Sequence, residues 1–153
     1  VYGEPAEHLA MFGVTGTNGK TTTSYLVDGG LRRAGRTTGV IGTVQILIAD
    51  EVVPSVRTTP EAPDLQAILA TAVEKGVGAV AMEVSSHALA YGRTAGIRFE
   101  AAAFLNLTQD HLDFHADFED YFEAKAKLFT PEYTRRAVVD VDNIVDPAYV
   151  KGA

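Results

Sequence analysis

The sequence of 153 residues has no cysteine and no tryptophan. Without cysteine the chain forms no disulfide bond and no thiolate metal site, which suits the reducing cytosol and predicts a cytoplasmic protein. Long apolar runs are also missing, because no stretch reaches the length of about 20 residues that a membrane-spanning helix needs. We therefore expect no membrane span.

Positive charge is scarce as well. The sequence has 13 lysine and arginine residues against 20 aspartate and glutamate residues, for a formal net charge of -7, and the basic residues are scattered. Nucleic-acid-binding proteins neutralise phosphates with clustered basic side chains, so nucleic acid is not an expected partner. A composition with 46% hydrophobic and 22% charged residues is typical of a folded domain.

The hydrophobic pattern alternates between the periods of strands and helices. Apolar or β-branched runs predict strands at residues 11–14, 38–49, 77–84, 99–107 and 137–141. The run at 38–49 is expected to turn back at residues 50–51 into a peripheral hairpin. Helical spacing predicts a helix through Tyr25, Leu26 and Leu31, a second at residues 65–73 with Thr59 as N-cap before Pro60, and a third at 118–129. This alternation predicts an α/β fold with a mostly parallel sheet flanked by helices.

A glycine-rich loop, T-G-T-N-G-K-T at residues 15–21, joins the first predicted strand to the first helix. Gly16 and Gly19 supply the turn, and free backbone N–H groups at a helix N-terminus bind phosphate. Lys20 can reach the outer phosphates of a nucleotide, and the Thr21 hydroxyl can complete the shell of a nucleotide-bound Mg²⁺ ion. The loop is a variant of the P-loop motif, since Val14 stands where the motif has glycine. The alternative is a glycine turn that caps a helix, with Lys20 exposed.

Glu83 ends the apolar run at residues 77–84. In open α/β sheets ligands bind beyond the carboxyl ends of the strands. An ionised carboxylate in such a run needs a cation or several donors, and Mg²⁺ near Thr21 would satisfy it. The residue pattern supports this metal role and the capping of the turn at Ser85 and Ser86 about equally.

A second polar segment, N-L-T-Q-D-H-L-D-F-H at residues 106–115, follows another predicted strand. His111 is a candidate to bind metal or to orient a substrate. Asp110 and Asp113 are interpreted as caps of a short helix.

The third predicted helix has a lysine on its apolar stripe. The stripe contains Phe118, Tyr121, Phe122, Leu128 and Phe129. Lys125 shares this face, whereas Lys127 faces outward. An inward lysine extends its amine to water, finds a partner or loses its charge. A neutral amine reacts with carbon dioxide to give a carbamate, a carboxylate-like metal ligand, and extension to water is the commoner alternative.

Together these segments resemble the Mur ligases, above all the UDP-N-acetylmuramoyl-tripeptide synthetases, which add the third amino acid of the peptidoglycan stem. The matching segments are V-T-G-T-N-G-K-T-T-T at 14–23, T-T-P at 58–60, M-E-V-S-S-H-A-L at 82–89, residues 106–115 and Y-F-E-A-K at 121–125. They extend over nearly the whole chain. Two positions depart from the pattern: Gln109 stands where these synthetases more often have arginine, and Tyr91 where some have a substrate-contacting glutamine.

The resemblance implies a role for each matched position. ATP would be bound by Gly16, Thr17, Asn18, Gly19, Lys20, Thr21 and Thr22. Thr21 and Glu83 would hold one Mg²⁺ ion, and His111 with carbamylated Lys125 would serve a second, which makes Lys20, His111 and Lys125 the implied catalytic residues. Thr58, Thr59, Ser85 and Arg93 match positions that contact the nucleotide-linked peptide, although the two threonines also fit an N-cap.

The implied activity is ATP-dependent amide ligation in peptidoglycan precursor synthesis, with UDP-N-acetylmuramoyl-dipeptide and a diamino acid as substrates. Because the family has three domains, the resemblance implies that this chain is the first part of an incomplete central P-loop-type domain, without the N-terminal uridine-nucleotide domain and the C-terminal domain, and is inactive alone. One alternative is another ligase of the superfamily, such as a folylpolyglutamate synthase, against which S-S-H-A-L at residues 85–89 argues. The other is a non-catalytic nucleotide-binding module.

Overall fold

A computed structural model describes residues 2–108 and 114–140. In these residues one seven-stranded sheet has the order β4-β3-β2-β5-β1-β6-β7. The strands are β1 (Ala10–Thr15), β2 (Thr38–Ile41), β3 (Gln45–Ile48), β4 (Glu51–Pro54), β5 (Ala79–Glu83), β6 (Ala101–Phe104) and β7 (Ala137–Val139). Five strands are parallel, and β3 and β4 extend one edge as an antiparallel hairpin. The predicted α/β class with a mostly parallel sheet is confirmed.

Four α-helices accompany the strands within the described residues. They are α1 (Lys20–Arg33), α2 (Ala62–Glu74), α3 (Ser86–Ala90) and α4 (Phe118–Ala126), and 3₁₀ turns occupy Pro5–His8 and Lys127–Phe129. Within residues 2–108 and 114–140, no helix combines the length and the apolar character that crossing a bilayer requires.

The pairing of the three central strands determines which loops lie next to one another. Strand β1 lies between β5 and β6, with Val14 paired to Glu83 and Thr15 paired to Phe104. Because these strands are parallel and in register at their carboxyl ends, the loops that follow them emerge at one edge of the sheet. That edge is where α/β folds bind ligands.

The main core packs α2 against the sheet. Leu65 and Leu69 of α2 share a buried cluster with Met11, Val80 and Met82 from the central strands. Burying each large aliphatic side chain contributes about 1.5–3 kcal/mol before conformational entropy is subtracted. The core therefore fixes the parallel strands that carry the functional loops.

The predicted strand at residues 38–49 was wrong in one respect. The chain forms two strands there, β2 and β3, because it turns at residues 42–44. The turn expected at residues 50–51 lies one residue earlier, at 49–50, and leads into β4, whose side chains are all exposed. As a result β2 belongs to the parallel sheet, and only β3 and β4 form the peripheral hairpin.

Two local predictions on the helices were also wrong. Helix α2 is preceded by Glu61 as N-cap residue and has proline in its first turn, so Thr59 does not cap it. Phe118 at the start of α4 is 37% exposed, and Leu26 in α1 is 70% exposed. Helical spacing identified α1, α2 and α4 but overestimated how much of the apolar face of α1 and α4 is covered.

A buried carboxylate joins α1 to β2 and yields a stability prediction. Asp28 accepts hydrogen bonds from the Arg32 Nε at 3.0 Å and from the hydroxyl of Thr38, which is fully buried. Asp28→Ala leaves the Thr38 hydroxyl without this acceptor, and we expect the free energy of unfolding to fall by about 1–3 kcal/mol in urea titrations.

Asp50→Ala is the matched control, because Asp50 also pairs with Arg32, at 3.4 Å, but its side chain is 97% exposed. We expect the control to change the free energy of unfolding by less than about 1 kcal/mol. Equal losses in the two variants would contradict the role assigned to Asp28.

Candidate functional site

The glycine-rich loop between β1 and α1 adopts the tight turn that its sequence predicts. Gly16 has φ of 150° and Gly19 has φ of 87°, both in the region that favours glycine. A Cβ atom on Gly16 would also lie 3.1 Å from the Leu105 Cβ and 3.3 Å from the Asn106 backbone nitrogen. Glycine is therefore required at residue 16 both for its backbone angle and for the close approach of the chain after β6.

The segment after β6 is hydrogen-bonded to this loop through Asn106. The Asn18 N–H donates to the Asn106 Oδ1 at 2.9 Å, and the Asn106 Nδ2 donates to the Asn18 carbonyl at 3.0 Å. The Thr17 N–H donates to the Asn106 carbonyl at 3.1 Å. Sequence analysis gave Asn106 no role of its own, although its place directly after a buried strand was a usable signal.

The N-terminus of α1 is open towards this edge. Gly19 precedes the helix, no side chain caps it, and its first turn contains no acidic residue. First-turn N–H groups without a capping side chain, together with the helix dipole, suit an anion such as a phosphate group. The Lys20 Nζ folds back over the loop and donates to the carbonyls of Gly16 at 2.8 Å and Thr17 at 3.1 Å. The alternative of an exposed lysine does not fit this half-buried amine.

Glu83 is 1% exposed and lies beside the loop at the end of β5. Its Oε1 accepts from the Thr21 hydroxyl at 2.9 Å and from the Thr43 N–H at 3.1 Å, and its Oε2 accepts from the Thr43 hydroxyl at 2.9 Å. The capping alternative for Glu83 is wrong, because the Ser85 Oγ accepts from the Ala88 N–H and caps α3. These three donors compensate the burial of the carboxylate.

The pair of Thr21 and Glu83 fits a magnesium ion that arrives with phosphates. Among residues 2–108 and 114–140, no group of three or more His, Asp or Glu side chains is placed to hold a metal by itself. Mg²⁺ commonly takes one or two protein ligands and completes its shell with phosphate oxygens and water. A hydroxyl and a carboxylate next to a phosphate loop match that preference.

The four residues predicted to bind the nucleotide-linked peptide are connected to Glu83 mainly through Thr59, which contacts Glu83, Ser85 and Arg93. Thr59 donates its hydroxyl proton to the Glu83 carbonyl at 2.9 Å and accepts from the Ser85 N–H at 3.1 Å, which explains why it is buried. Thr58 lies 3.0 Å from the Thr43 hydroxyl. Arg93 forms an ion pair with Glu61 at 2.8 Å. The structure therefore brings all four predicted positions to the edge that carries the phosphate loop.

Lys125 of α4 is 1% exposed, so the alternative in which it extends its amine to water is wrong. Its Nζ donates to the Gly16 carbonyl at 3.2 Å and lies 4.7 Å from the centre of the Tyr121 ring. The Tyr121 hydroxyl is in turn 3.1 Å from the Thr17 Oγ1. Helix α4 thus places a buried amine in contact with the glycine-rich loop. Lys127 faces solvent, as predicted.

The region before α4 contains a histidine that sequence analysis did not single out. His115 is 3% exposed, and its Nδ1 lies 3.0 Å from the Asp120 Oδ2. This hydrogen bond lowers the pKa of the Asp120 carboxyl. Asp117 accepts from the Asp120 N–H and caps α4. The predicted roles of His111, Asp110 and Asp113, and the departure at Gln109, lie outside the described residues.

Comparison with known proteins adds a family to this geometry. The protein-family model described as the Mur ligase middle domain matches residues 14–151 of this chain. The ligase named UDP-N-acetylmuramoyl-L-alanyl-D-glutamate--2,6-diaminopimelate ligase of Streptomyces avermitilis is 57% identical over 143 residues, and the same-named ligase of Corynebacterium glutamicum is 53% identical over 146 residues. Each match covers 94% of this chain and 28% of the relative. The chain therefore spans less than a third of the length of these relatives.

Solved structures agree with the sequence matches. A structure of a ligase with the same name superposes with a TM-score of 0.80 at 35% identity, covering 94% of this chain and 29% of that one. The Escherichia coli protein FolC in complex with ADP superposes with a TM-score of 0.71 at 19% identity, covering 99% of this chain and 42% of FolC, and shares the fold. On the family match and the geometry together, the chain belongs to the Mur ligase middle domain family.

Proposed function

We propose that this chain is the ATP-binding part of a ligase that joins a diamino acid to UDP-N-acetylmuramoyl-L-alanyl-D-glutamate. The names of its relatives motivate the substrates, and because the chain spans only 28% of those relatives, the complete reaction needs more of the protein. The observation that carries the proposal is the contact between the Thr21 hydroxyl and the buried Glu83 carboxylate. This contact lies next to the glycine-rich loop and to the N-terminus of α1, which no side chain caps. ATP and nucleotide-linked peptides are cytoplasmic metabolites, so the proposed reaction is cytoplasmic.

Bound ATP with Mg²⁺ would supply the phosphoryl group that converts the peptide carboxylate into an acyl phosphate. The loop N–H groups and Lys20 bind and orient the phosphates, and Thr21 and Glu83 are the proposed protein ligands of one Mg²⁺ ion. His111 and carbamylated Lys125 are the proposed ligands for a second. Phosphoryl transfer depends mainly on such positioning and on charge stabilisation.

The acid substrate is proposed to bind at Thr58, Thr59, Ser85 and Arg93. Arg93 already holds a carboxylate, that of Glu61, at 2.8 Å, and its side chain is only 11% exposed. A guanidinium in this geometry suits a second carboxylate or a phosphate through its remaining N–H groups. The threonine and serine hydroxyls next to Glu83 would orient the reacting group towards the phosphate loop.

A carbamate on Lys125 is proposed because of where its amine lies. The Lys125 Nζ and the Lys20 Nζ donate to the same Gly16 carbonyl, so two positive charges are held close together in a partly buried region. The carbamate forms from the neutral form of the Lys125 amine. The neutral amine attacks the carbon of carbon dioxide, forms the N–C bond and releases a proton, which leaves a carbamate with one negative charge next to the Lys20 ammonium.

The carbamate predicts a signal in ¹³C NMR. With ¹³C-labelled bicarbonate, the wild-type protein is expected to show one slowly exchanging carbamate resonance that is absent from Lys125→Arg. Lys127→Arg is the control, because Lys127 directly follows the same helix but is exposed, and it should keep the resonance. No resonance in the wild-type protein at high bicarbonate would rule out the carbamate.

The proposed reaction is tested with the protein at its natural length. ATP, Mg²⁺, UDP-N-acetylmuramoyl-L-alanyl-D-glutamate and a diamino acid should give ADP, phosphate and the amide product, detected by mass spectrometry. Replacing UDP-N-acetylmuramoyl-L-alanyl-D-glutamate and the diamino acid by a folate and glutamate tests the alternative of a folylpolyglutamate synthase. This replacement should give no product. ATP binding without any amide product would favour the non-catalytic nucleotide-binding module instead.

A further inference from the structure

Thr43 contacts both oxygens of the Glu83 carboxylate. It lies in the turn between β2 and β3 and supplies two of the three donors that reach this carboxylate. Its N–H donates to Oε1 at 3.1 Å and its hydroxyl donates to Oε2 at 2.9 Å. Because the two donors contact different oxygens, they fix both the position and the plane of the carboxylate.

The remaining donor, the Thr21 hydroxyl, is the one that the proposed function assigns to a metal ion. A threonine hydroxyl that binds a metal through a lone pair keeps its proton for Glu83, but its position then follows the ion as well as the carboxylate. Thr43 is not a proposed metal ligand, so its two bonds orient the carboxylate independently of the ion.

Thr43 also contacts the proposed substrate residue Thr58, with the two hydroxyl oxygens 3.0 Å apart. A threonine hydroxyl has one proton and two lone pairs. The Thr43 hydroxyl is placed to donate its one proton either to the Thr58 Oγ1 or to the Glu83 Oε2. A chain of hydrogen-bonding contacts thus links Thr58 through Thr43 to Glu83, and the shared proton couples its two ends.

We propose that Thr43 is a positioning residue that couples the acid-substrate half of the site to its metal half through this chain of hydrogen bonds. The inference rests on the proposed function for the identity of the two ligands. Its consequence is thermodynamic: bound substrate changes the metal affinity by some factor, and bound metal changes the substrate affinity by the same factor. Removing the Thr43 hydroxyl should reduce that factor towards one.

The test measures Mn²⁺ binding by electron paramagnetic resonance in the protein at its natural length with ADP present. The Mn²⁺ dissociation constant is determined with and without UDP-N-acetylmuramoyl-L-alanyl-D-glutamate, and the ratio gives the coupling factor. Thr43→Val should weaken Mn²⁺ binding about tenfold and bring the factor close to one. Thr43→Ser keeps the hydroxyl and the N–H and should restore both values.

Two further variants separate positioning from general damage. Thr58→Val leaves both bonds from Thr43 to Glu83 in place but removes the contact to Thr43, so it should lose the coupling when the nucleotide-linked dipeptide is present at saturating concentration for this variant. Thr71→Val is the matched control, since the Thr71 hydroxyl bonds only the Ala67 carbonyl of its own helix, and it should leave the Mn²⁺ affinity and the coupling factor unchanged.

The possible results distinguish the inference from the proposed function. A Thr43→Val variant with wild-type Mn²⁺ affinity, or with a wild-type coupling factor, overturns the role of Thr43 and leaves the proposed function intact. A wild-type coupling factor of one also overturns the inference. A wild-type protein that binds neither ADP with Mn²⁺ nor the nucleotide-linked dipeptide overturns the proposed function itself.

Discussion

Gly42→Ala is expected to abolish tight metal binding, although it adds a single methyl group. A Cβ atom on Gly42 would lie 2.2 Å from the Glu83 Oε1 and 2.9 Å from its carboxyl carbon. No contact this short is tolerated, so the Glu83 side chain must leave its donors. We expect Mn²⁺ affinity in the presence of ADP to fall at least about tenfold to a hundredfold. Ligase turnover should fall with it.

The same substitution should also lower stability. The displaced carboxylate is buried and loses its three hydrogen bonds from Thr21 and Thr43. Overpacking of this kind costs about 1–3 kcal/mol in the free energy of unfolding, measured by urea titration. Turnover and metal affinity must therefore be measured at a temperature where the variant remains folded.

Gly29→Ala is the matched control for Gly42→Ala. Gly29 lies in α1, and a Cβ atom there would meet no atom within 4 Å. Alanine in a helix interior is more favourable than glycine by about 0.5–1 kcal/mol, so this variant should be slightly more stable and should bind metal normally. Wild-type metal affinity in Gly42→Ala would show that the Glu83 carboxylate is not the metal ligand we propose.

Lys20→Ala is expected to have the second large effect, on nucleotide binding and turnover. The Lys20 Nζ lies over the phosphate loop, bonded to two of its carbonyls. When phosphates bind, the ammonium would exchange these neutral acceptors for charged ones, and such bonds are about twice as strong. Loss of a preorganised donor to a developing charge lowers turnover on the order of 10² to 10³-fold. Calorimetric titration with ATP and a steady-state assay measure the two effects.

Lys75→Ala is the control for the loss of one positive charge. Lys75 follows α2 and pairs with exposed Glu51, and a surface ion pair contributes less than about 1 kcal/mol. The control should keep ATP affinity and turnover. If Lys20→Ala bound ATP as tightly as Lys75→Ala does, the glycine-rich loop would be a helix cap and not the phosphate site.

The fold class and the phosphate loop were predictable because their signals are contiguous in the sequence. Each strand and helix shows its own period, and the loop at residues 15–21 combines glycine, lysine and threonine within a few positions. The burial of Lys125 was also indicated, since its place on an apolar stripe depends on residues of the same helix. In these cases local spacing and the tertiary structure agree.

The contacts that complete the site were not predictable in this way. Thr43 reaches Glu83 across 40 positions, and Asn106 reaches Asn18 across 88. Thr43 has no unusual local pattern, and the place of Asn106 after a buried strand does not indicate its partner. Thr59 was misassigned because a threonine before proline is a good N-cap signal, whereas the fold uses its hydroxyl to join Glu83 and Ser85. Side chains that connect distant segments require the register of the sheet, which periodicity does not give.

The shared carbonyl of Gly16 has a consequence for how this site changes over evolution. Lys20 and Lys125 come from different helices but donate to the same oxygen, so the charge of one sets the electrostatic field at the other. The effects of substitutions at the two positions should therefore be epistatic, with a double variant differing from the sum of the single ones. A lineage that loses one lysine changes the selective value of the other, and the pair is expected to evolve as a unit.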